Sequence, residues 1–242
     1  MAPAVLITGA SKRIGKALSL GMAQEGYKVL LHYRHSRQEA EETADAIEKI
    51  GSTCILFKSD LSDSLQMREL VRQAFEAAPE CNVLINNASI FEENSLMNTS
   101  EAQFDQHFAI NLKAPFFLTQ GFARCCRSEG SVINLLDTRI KNNSSTHSAY
   151  SLSKKALYDF TLMAAKELAP RIRVNGISPG LILPPEGSGM DYLAEKSKKV
   201  PLQRYGDLNQ IVQALRFLLS NSFITGDCLF LDGGEHLLHQ TD

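Results

Sequence analysis

The chain has no cysteine framework, no surplus of charge of either sign, and no apolar run long enough to span a bilayer. Its five cysteines, Cys54, Cys81, Cys125, Cys126 and Cys228, show no CxxC spacing. An odd count without that spacing argues against a disulfide scaffold and points to reduced thiols in a cytoplasmic protein. The six histidines, His107, His147 and His236 among them, show no ligand spacing, so no metal site is expected. A net charge of −2 with dispersed basic residues argues against a nucleic-acid binder and a disordered chain. The first residues run straight into an apolar stretch without a basic region, so no targeting peptide is expected.

What the 242 residues do contain is 44 % apolar side chains, enough to bury one large core in a single domain over 1–242. Short apolar runs at 4–8, 28–32, 54–58, 82–86, 131–135, 172–177 and 228–231 read as strands covered on both faces. Segments of helical period separate them, expected at 14–25, 37–50, 101–127, 149–168 and 208–219. In another, Met67, Leu70, Val71, Ala74, Phe75 and Ala78 mark one apolar stripe, and Asp63 fits its N-cap. Such alternation predicts an α/β fold: a doubly wound sheet of about seven parallel strands with helices on both faces. The long irregular stretch over 180–200, with Pro184, Pro185, Gly187 and Gly189 in its first half, reads as a substrate loop.

The first strand leads into Thr8-Gly9-Ala10-Ser11-Lys12-Arg13-Ile14-Gly15 and then a helix. A strand, a glycine turn and a helix N-terminus together direct backbone N–H groups and a helix dipole at an anion such as a pyrophosphate. Nineteen residues beyond Gly15, at the end of the second strand, NAD sites keep an acid for the ribose 2′-hydroxyl. Here the stretch is His32-Tyr33-Arg34-His35-Ser36-Arg37. Cations and a hydroxyl suit a 2′-phosphate, so NADPH is the expected cofactor.

Tyr150 and Lys154 stand one helical turn apart on one face. A free phenol, with a pKa near ~10, is a poor acid–base group at neutrality, and a lysine cation beside it favours the phenolate. The pair gains weight from the glycine turn, from Asn86-Asn87-Ala88 after the fourth strand and from Asn111 in the next helix.

Thr8-Gly9-xxx-Arg13-x-Gly15, Asn86-Asn87-Ala88, Asn111, Tyr150-xxx-Lys154, Pro179-Gly180 and Asp232-Gly233-Gly234 resemble, in order, the landmarks of short-chain dehydrogenase/reductases over essentially the whole chain. The resemblance implies that Tyr150 donates the proton, that Lys154 holds the nicotinamide ribose and that Asn111 supports the relay. It also places Gly9, Ser11, Arg13, Ile14, Asp60, Leu61, Asn87, Ala88, Ser89, Pro179 and Gly180 along the cofactor, with Asp60 at the adenine. A homotetramer built on the long helices 101–127 and 149–168 is the family expectation.

Two positions depart from the common pattern: Arg13 replaces a frequent Gly, and Asp137, thirteen residues before Tyr150, replaces a Ser that polarises a carbonyl. With Ser89 and Phe91, they make the chain similar to pteridine and dihydromonapterin reductases. That similarity implies a pterin or folate substrate stacked between nicotinamide and Phe91, with Arg13 and Ser89 near it and Asp137 and Tyr150 facing the reducible C–N bonds. A carboxylate can bind an N–H or help move a proton to a ring nitrogen, which a ketone substrate does not require. Two other readings stay open. One is a 3-oxoacyl-thioester reductase, which predicts Ser at 137. The other is a non-catalytic NADPH-binding protein, against which the intact Asn111, Tyr150 and Lys154 speak.

Overall fold

The computed structural model describes residues 2–143, 145–185 and 187–238. The chain alternates β1 (Ala4–Ile7), α1 (Arg13–Gln24), β2 (Lys28–Tyr33), α2 (Arg37–Lys49), β3 (Cys54–Lys58), α3 (Ser64–Ala77) and β4 (Cys81–Asn86). The second half runs α4 (Glu101–Phe108), α5 (Ala114–Cys125), β5 (Gly130–Leu135), α6 (Ser148–Leu168), β6 (Ile172–Pro179), α7 (Met190–Ser197), α8 (Leu208–Ser220) and β7 (Cys228–Leu231). The strands form one parallel sheet in the order β3-β2-β1-β4-β5-β6-β7. Each strand lies within two residues of its expected ends.

Alternate strand residues feed two cores. Leu6, Leu30, Leu84 and Val132 pack with Leu118 and Phe122 of α5 on one face. Val5, Ile7, Leu31 and Ile133 pack with Leu18 and Met22 of α1 and Leu215 of α8 on the other. Burial of each such side chain contributes roughly 1.5–3 kcal/mol, which explains why the strands read as unbroken apolar runs. Asp63 caps α3 as its position indicated, its carboxylate accepting from the N–H groups of Leu65 and Gln66. Strand order reverses between β1 and β4, so a crevice opens at their carboxyl ends, the usual ligand position in such sheets.

Two expectations change. The helix expected unbroken over 101–127 contains one wide π turn, Ala109–Lys113, between α4 and α5. That turn carries Asn111, whose side chain is fully buried and bonded inward, the kind of local irregularity that marks functional positions. The stretch 180–200 is not irregular throughout, because α7 occupies its second half. Leu193, Ser197 and Val200 are buried at helical spacing there, and the helix-breaking residues lie before them. Residue 186 of that stretch lies outside the described residues. No helix among the described residues is long and apolar enough to cross a membrane.

Candidate active site

The glycine turn is locked to the end of β4. Thr8 Oγ1 accepts from the N–H groups of Asn87 and Ala88, each at 3.0 Å, and the Asn87 amide returns bonds to the carbonyls of Thr8 and Gly9. Gly9 has φ +59°, and a Cβ there would meet Ala88 Cα at 3.0 Å; a Cβ at Gly15 would lie 2.1 Å from the Gly9 carbonyl. Both glycines are therefore required by close backbone approach. No side chain caps the first turn of α1, and its N-terminus opens on the crevice. Arg13 takes the left-handed conformation, φ +53°. A non-glycine residue there costs of order 1 kcal/mol or more, which gives a backbone reason for the Gly common at this position. Its guanidinium crosses the cleft and donates to the Pro184 carbonyl at 2.7 Å.

The end of β2 is arranged differently from the expected row of cations. His32 is buried, accepts the Gly9 N–H at Nδ1 (3.1 Å) and donates from Nε2 to the Ser59 carbonyl (3.0 Å). Burial lowers its pKa to about 4, outweighing the Ser59 carbonyl and the Asp60 charge. His32 is thus a neutral support beneath the turn and brings no positive charge to a phosphate. Tyr33 and Leu61 are buried, Ser11 is buried with its carbonyl held by Thr43, and His35 is exposed. Arg34 carries the charge: it pairs with Asp60 at 2.7 Å, and its Nε is buried with no partner among the described residues. Burial raises the Asp60 pKa, but the bonds from Ser62 and the Arg34 guanidinium outweigh it and hold the carboxyl below its usual value. Ser36 stands at the start of α2 and caps nothing with its hydroxyl.

One cleft gathers Arg13, Ile14, Asn87, Ser89, Asp137, Tyr150, Lys154, Pro179 and Gly180. Tyr150 is buried, and its phenol donates to Asp137 Oδ2 at 2.7 Å. The other Asp137 oxygen accepts the Arg139 backbone N–H at 2.8 Å. Lys154 Nζ donates to the Leu135 carbonyl at 2.7 Å, and burial lowers its pKa to about 8 against the opposing pull of Asp137. Burial and the Asp137 carboxylate push the Tyr150 pKa well above 10. The sequence suggested a lysine-lowered phenol; burial first, and the Asp137 carboxylate with it, shift the phenol in the opposite direction. Asn111 Oδ1 accepts from Ser89 Oγ and the Ile90 N–H, each at 3.0 Å, while its amide donates to the Ile90 carbonyl and to Ser153.

Phe91 meets the Tyr150 ring edge-on at 4.8 Å between centroids, stacks on His147 at 4.4 Å and lies under the Arg139 guanidinium at 5.0 Å. Burial and the Arg139 cation hold the His147 pKa below its ordinary value. Arg139 and Glu235 were not legible as site residues. Glu235 packs against Gly180 with Oε2 buried and without a partner among the described residues; burial, with Asp137 and Asp232, pushes its pKa up to about 7. Only its place directly after Gly233-Gly234 could have drawn notice. A larger groove, about 510 Å³, lies beside Leu202, Tyr205, Phe230 and Leu237, but it holds none of the acid–base residues. The described residues contain no cluster able to hold a metal ion.

Known proteins resemble this chain along nearly its whole length. The sequence model of the enoyl-(acyl carrier protein) reductase family matches residues 9–236. A 3-oxoacyl-[acyl-carrier-protein] reductase of Staphylococcus aureus is 30 % identical, over 98 % of this chain and 99 % of its own. The crystal structure of an alternative dihydrofolate reductase, FolM, from Brucella suis in complex with NADP superposes with a TM-score of 0.94 at 36 % identity, covering 99 % of this chain and 97 % of that one. Its counterpart from Brucella canis, also complexed with NADP, gives 0.91 at 37 % identity, covering 99 % and 96 %. The match along nearly the whole chain establishes that this protein belongs to the short-chain dehydrogenase/reductase family of oxidoreductases.

Proposed function

We propose that the protein is an NADPH-dependent reductase of dihydropterins, a class that includes dihydromonapterin, dihydrobiopterin and dihydrofolate. The observation that carries this reading is the 2.7 Å bond from the Tyr150 phenol to Asp137. An ionised carboxylate beside the reacting atoms opposes the negative charge that grows on a ketone oxygen. The same carboxylate is suited to an N–H, and it keeps the phenol protonated until a ring nitrogen needs the proton. Similarity to the Brucella dihydrofolate reductases supports the choice.

The residues present fit the cofactor. The N-terminus of α1, which no side chain caps, offers its N–H groups to a pyrophosphate, and Arg34 has a buried N–H without a partner among the described residues for a 2′-phosphate. Bound NADPH supplies the hydride. Gly9, Ser11, Arg13 and Ile14 would line its diphosphate, Arg34, His35 and Ser36 its 2′-phosphate, and Asp60 and Leu61 its adenine. Asn87, Ala88, Ser89, Pro179 and Gly180 would flank the nicotinamide half, with Lys154 at its ribose. His32 and Tyr33 act from beneath, by fixing the turn and the strand end. Tyr150 delivers the proton to the ring nitrogen, Asp137 orients the phenol by accepting its O–H, and Asn111 fixes Ser89 and Ser153 beside them. Arg13, Ser89 and Phe91 would contact the pterin. Most of the rate gain is then orientation and electrostatics.

Exposed Phe104, Phe116, Leu162 and Met163 on α4, α5 and α6 support the homotetramer expected for the family, which light scattering at micromolar concentration tests. The functional reading is tested by NADPH oxidation with a dihydropterin, with an acetoacetyl thioester and with neither. Turnover of the dihydropterin alone supports it. Turnover of the thioester alone would make the chain a 3-oxoacyl reductase, the alternative favoured by the Staphylococcus similarity.

A further inference from the structure

Phe91 and Asp137 are the two groups that a flat, N–H-bearing substrate ring would use, and both are already engaged by one side chain. The Arg139 guanidinium lies 5.0 Å from the Phe91 centroid, and its NH1 sits 3.5 Å from Asp137 Oδ2, the same oxygen that accepts the Tyr150 phenol. A guanidinium is planar, conjugated and rich in N–H donors. It presents to this corner of the pocket the two features of a dihydropterin edge, a flat face for the ring and an N–H for the carboxylate. Its hold is weak. The ion pair is long, the side chain is 30 % exposed, and the Phe91 ring it lies over is itself exposed. The Asp137 carboxylate does not depend on it, because the Arg139 backbone N–H holds the other oxygen at 2.8 Å. His147, the other group against Phe91, is a ring at 4.4 Å and nearly parallel, and it belongs to a segment tied to Asn94 through backbone bonds. Of the two, Arg139 is the one free to leave.

We infer that Arg139 is a specificity-determining residue of the substrate site: its guanidinium holds the place of the substrate ring in the free enzyme, so that a ligand gains Phe91 and Asp137 by replacing both of its contacts. A ligand with a flat conjugated ring and an N–H makes that exchange at little net cost. A small aliphatic ketone replaces neither contact and leaves the guanidinium in position. This rests on the dihydropterin reading and adds to it the residue that enforces the ring requirement.

The test is steady-state kinetics of the full chain with NADPH and two dihydropterins, one with a neutral side chain and one with the anionic tail of dihydrofolate, for the wild type, Arg139→Ala and Arg139→Lys. Removing the competing guanidinium should lower KM for both substrates by roughly three- to tenfold in Arg139→Ala, the size of one exposed cation–π contact with a weak ion pair. The change should fall on KM rather than kcat, and Arg139→Lys, which keeps the charge but not the flat fork, should lie between. A KM that is unchanged or raised for both substrates overturns the inference, as does a rise confined to the anionic substrate, which would make Arg139 a tail-binding residue. If the wild type turned over neither dihydropterin, the functional reading itself would fail; that outcome is distinct from a wild type that is active with a variant KM that does not fall.

Discussion

Asp137 and Tyr150, thirteen residues apart in sequence, meet through a 2.7 Å hydrogen bond in which the phenol donates to the carboxylate. Burial and this bond act together on the phenol, against the lowering expected from a lysine cation. Burial and the Asp137 charge raise the phenol pKa, while Lys154, its own pKa lowered to about 8, spends its hydrogen bond on the Leu135 carbonyl. The resting site therefore stores a proton on Tyr150 at neutral pH, which is the state a reductase needs at the moment hydride arrives.

Asp137→Ser separates the two substrate classes. For a dihydropterin, loss of the carboxylate removes the partner that orients the phenol and aids delivery to nitrogen, so kcat should fall by roughly 10²-fold. For an acetoacetyl thioester, the serine hydroxyl no longer opposes an oxyanion, and turnover should hold or rise. NADPH affinity, followed by fluorescence, should hardly change. A variant with full dihydropterin activity would remove the main reason for preferring a pterin.

The sheet was legible because its inner strands are buried on both faces and even the partly buried edge strands β3 and β7 keep apolar runs. Tyr150 and Lys154 were legible because their spacing puts them on one helical face, the glycine turn because it joins a strand to a helix, and Asn111 through the family resemblance. Arg139, His147 and Glu235 were not, because they act through tertiary contacts. Arg139 reaches Phe91 from the short 3₁₀ turn Thr138–Lys141, and Glu235 meets Gly180 across the C-terminal segment. His32 shows the same limit from the other side. Its place at the end of β2 was clear, but whether an imidazole faces a phosphate or the core depends on Gly9 and Ser59, which arrive from two other segments.

Arg34→Ala should act on one cofactor only. Arg34 is the charged group at the end of β2 with a buried N–H still unpaired among the described residues, and Asp60 holds it in place at 2.7 Å. Loss of a charge-assisted phosphate contact should raise the KM for NADPH by about tenfold, the equivalent of ~1.4 kcal/mol, and leave NADH nearly unchanged. Wild-type kcat/KM should favour NADPH over NADH by more than the same factor. Equal efficiencies with the two cofactors would contradict the assignment.

The last prediction concerns His32 and acid. Its folded pKa is lowered from 6.5 to about 4, chiefly by burial, so the neutral imidazole is the form the fold accepts. Above pH 6.5 both folded and unfolded chains carry it neutral, and its contribution to stability is constant. As pH falls below 6.5 the unfolded chain takes up the proton first, and stability is lost progressively until the folded pKa near 4 is reached. At pH 5 the loss from this residue alone should be about 2 kcal/mol, seen as a drop in Tm between pH 7 and 5 that is smaller in His32→Asn. The variant should also be less stable than the wild type at pH 7, by about 1–3 kcal/mol, if the Gly9 N–H loses its partner. In the folded protein, an NMR titration of the His32 ring should show no midpoint between pH 5 and 8. A midpoint near 6.5 would place the imidazole in solvent or against a phosphate, and would return His32 to the set of cations that the sequence alone suggested.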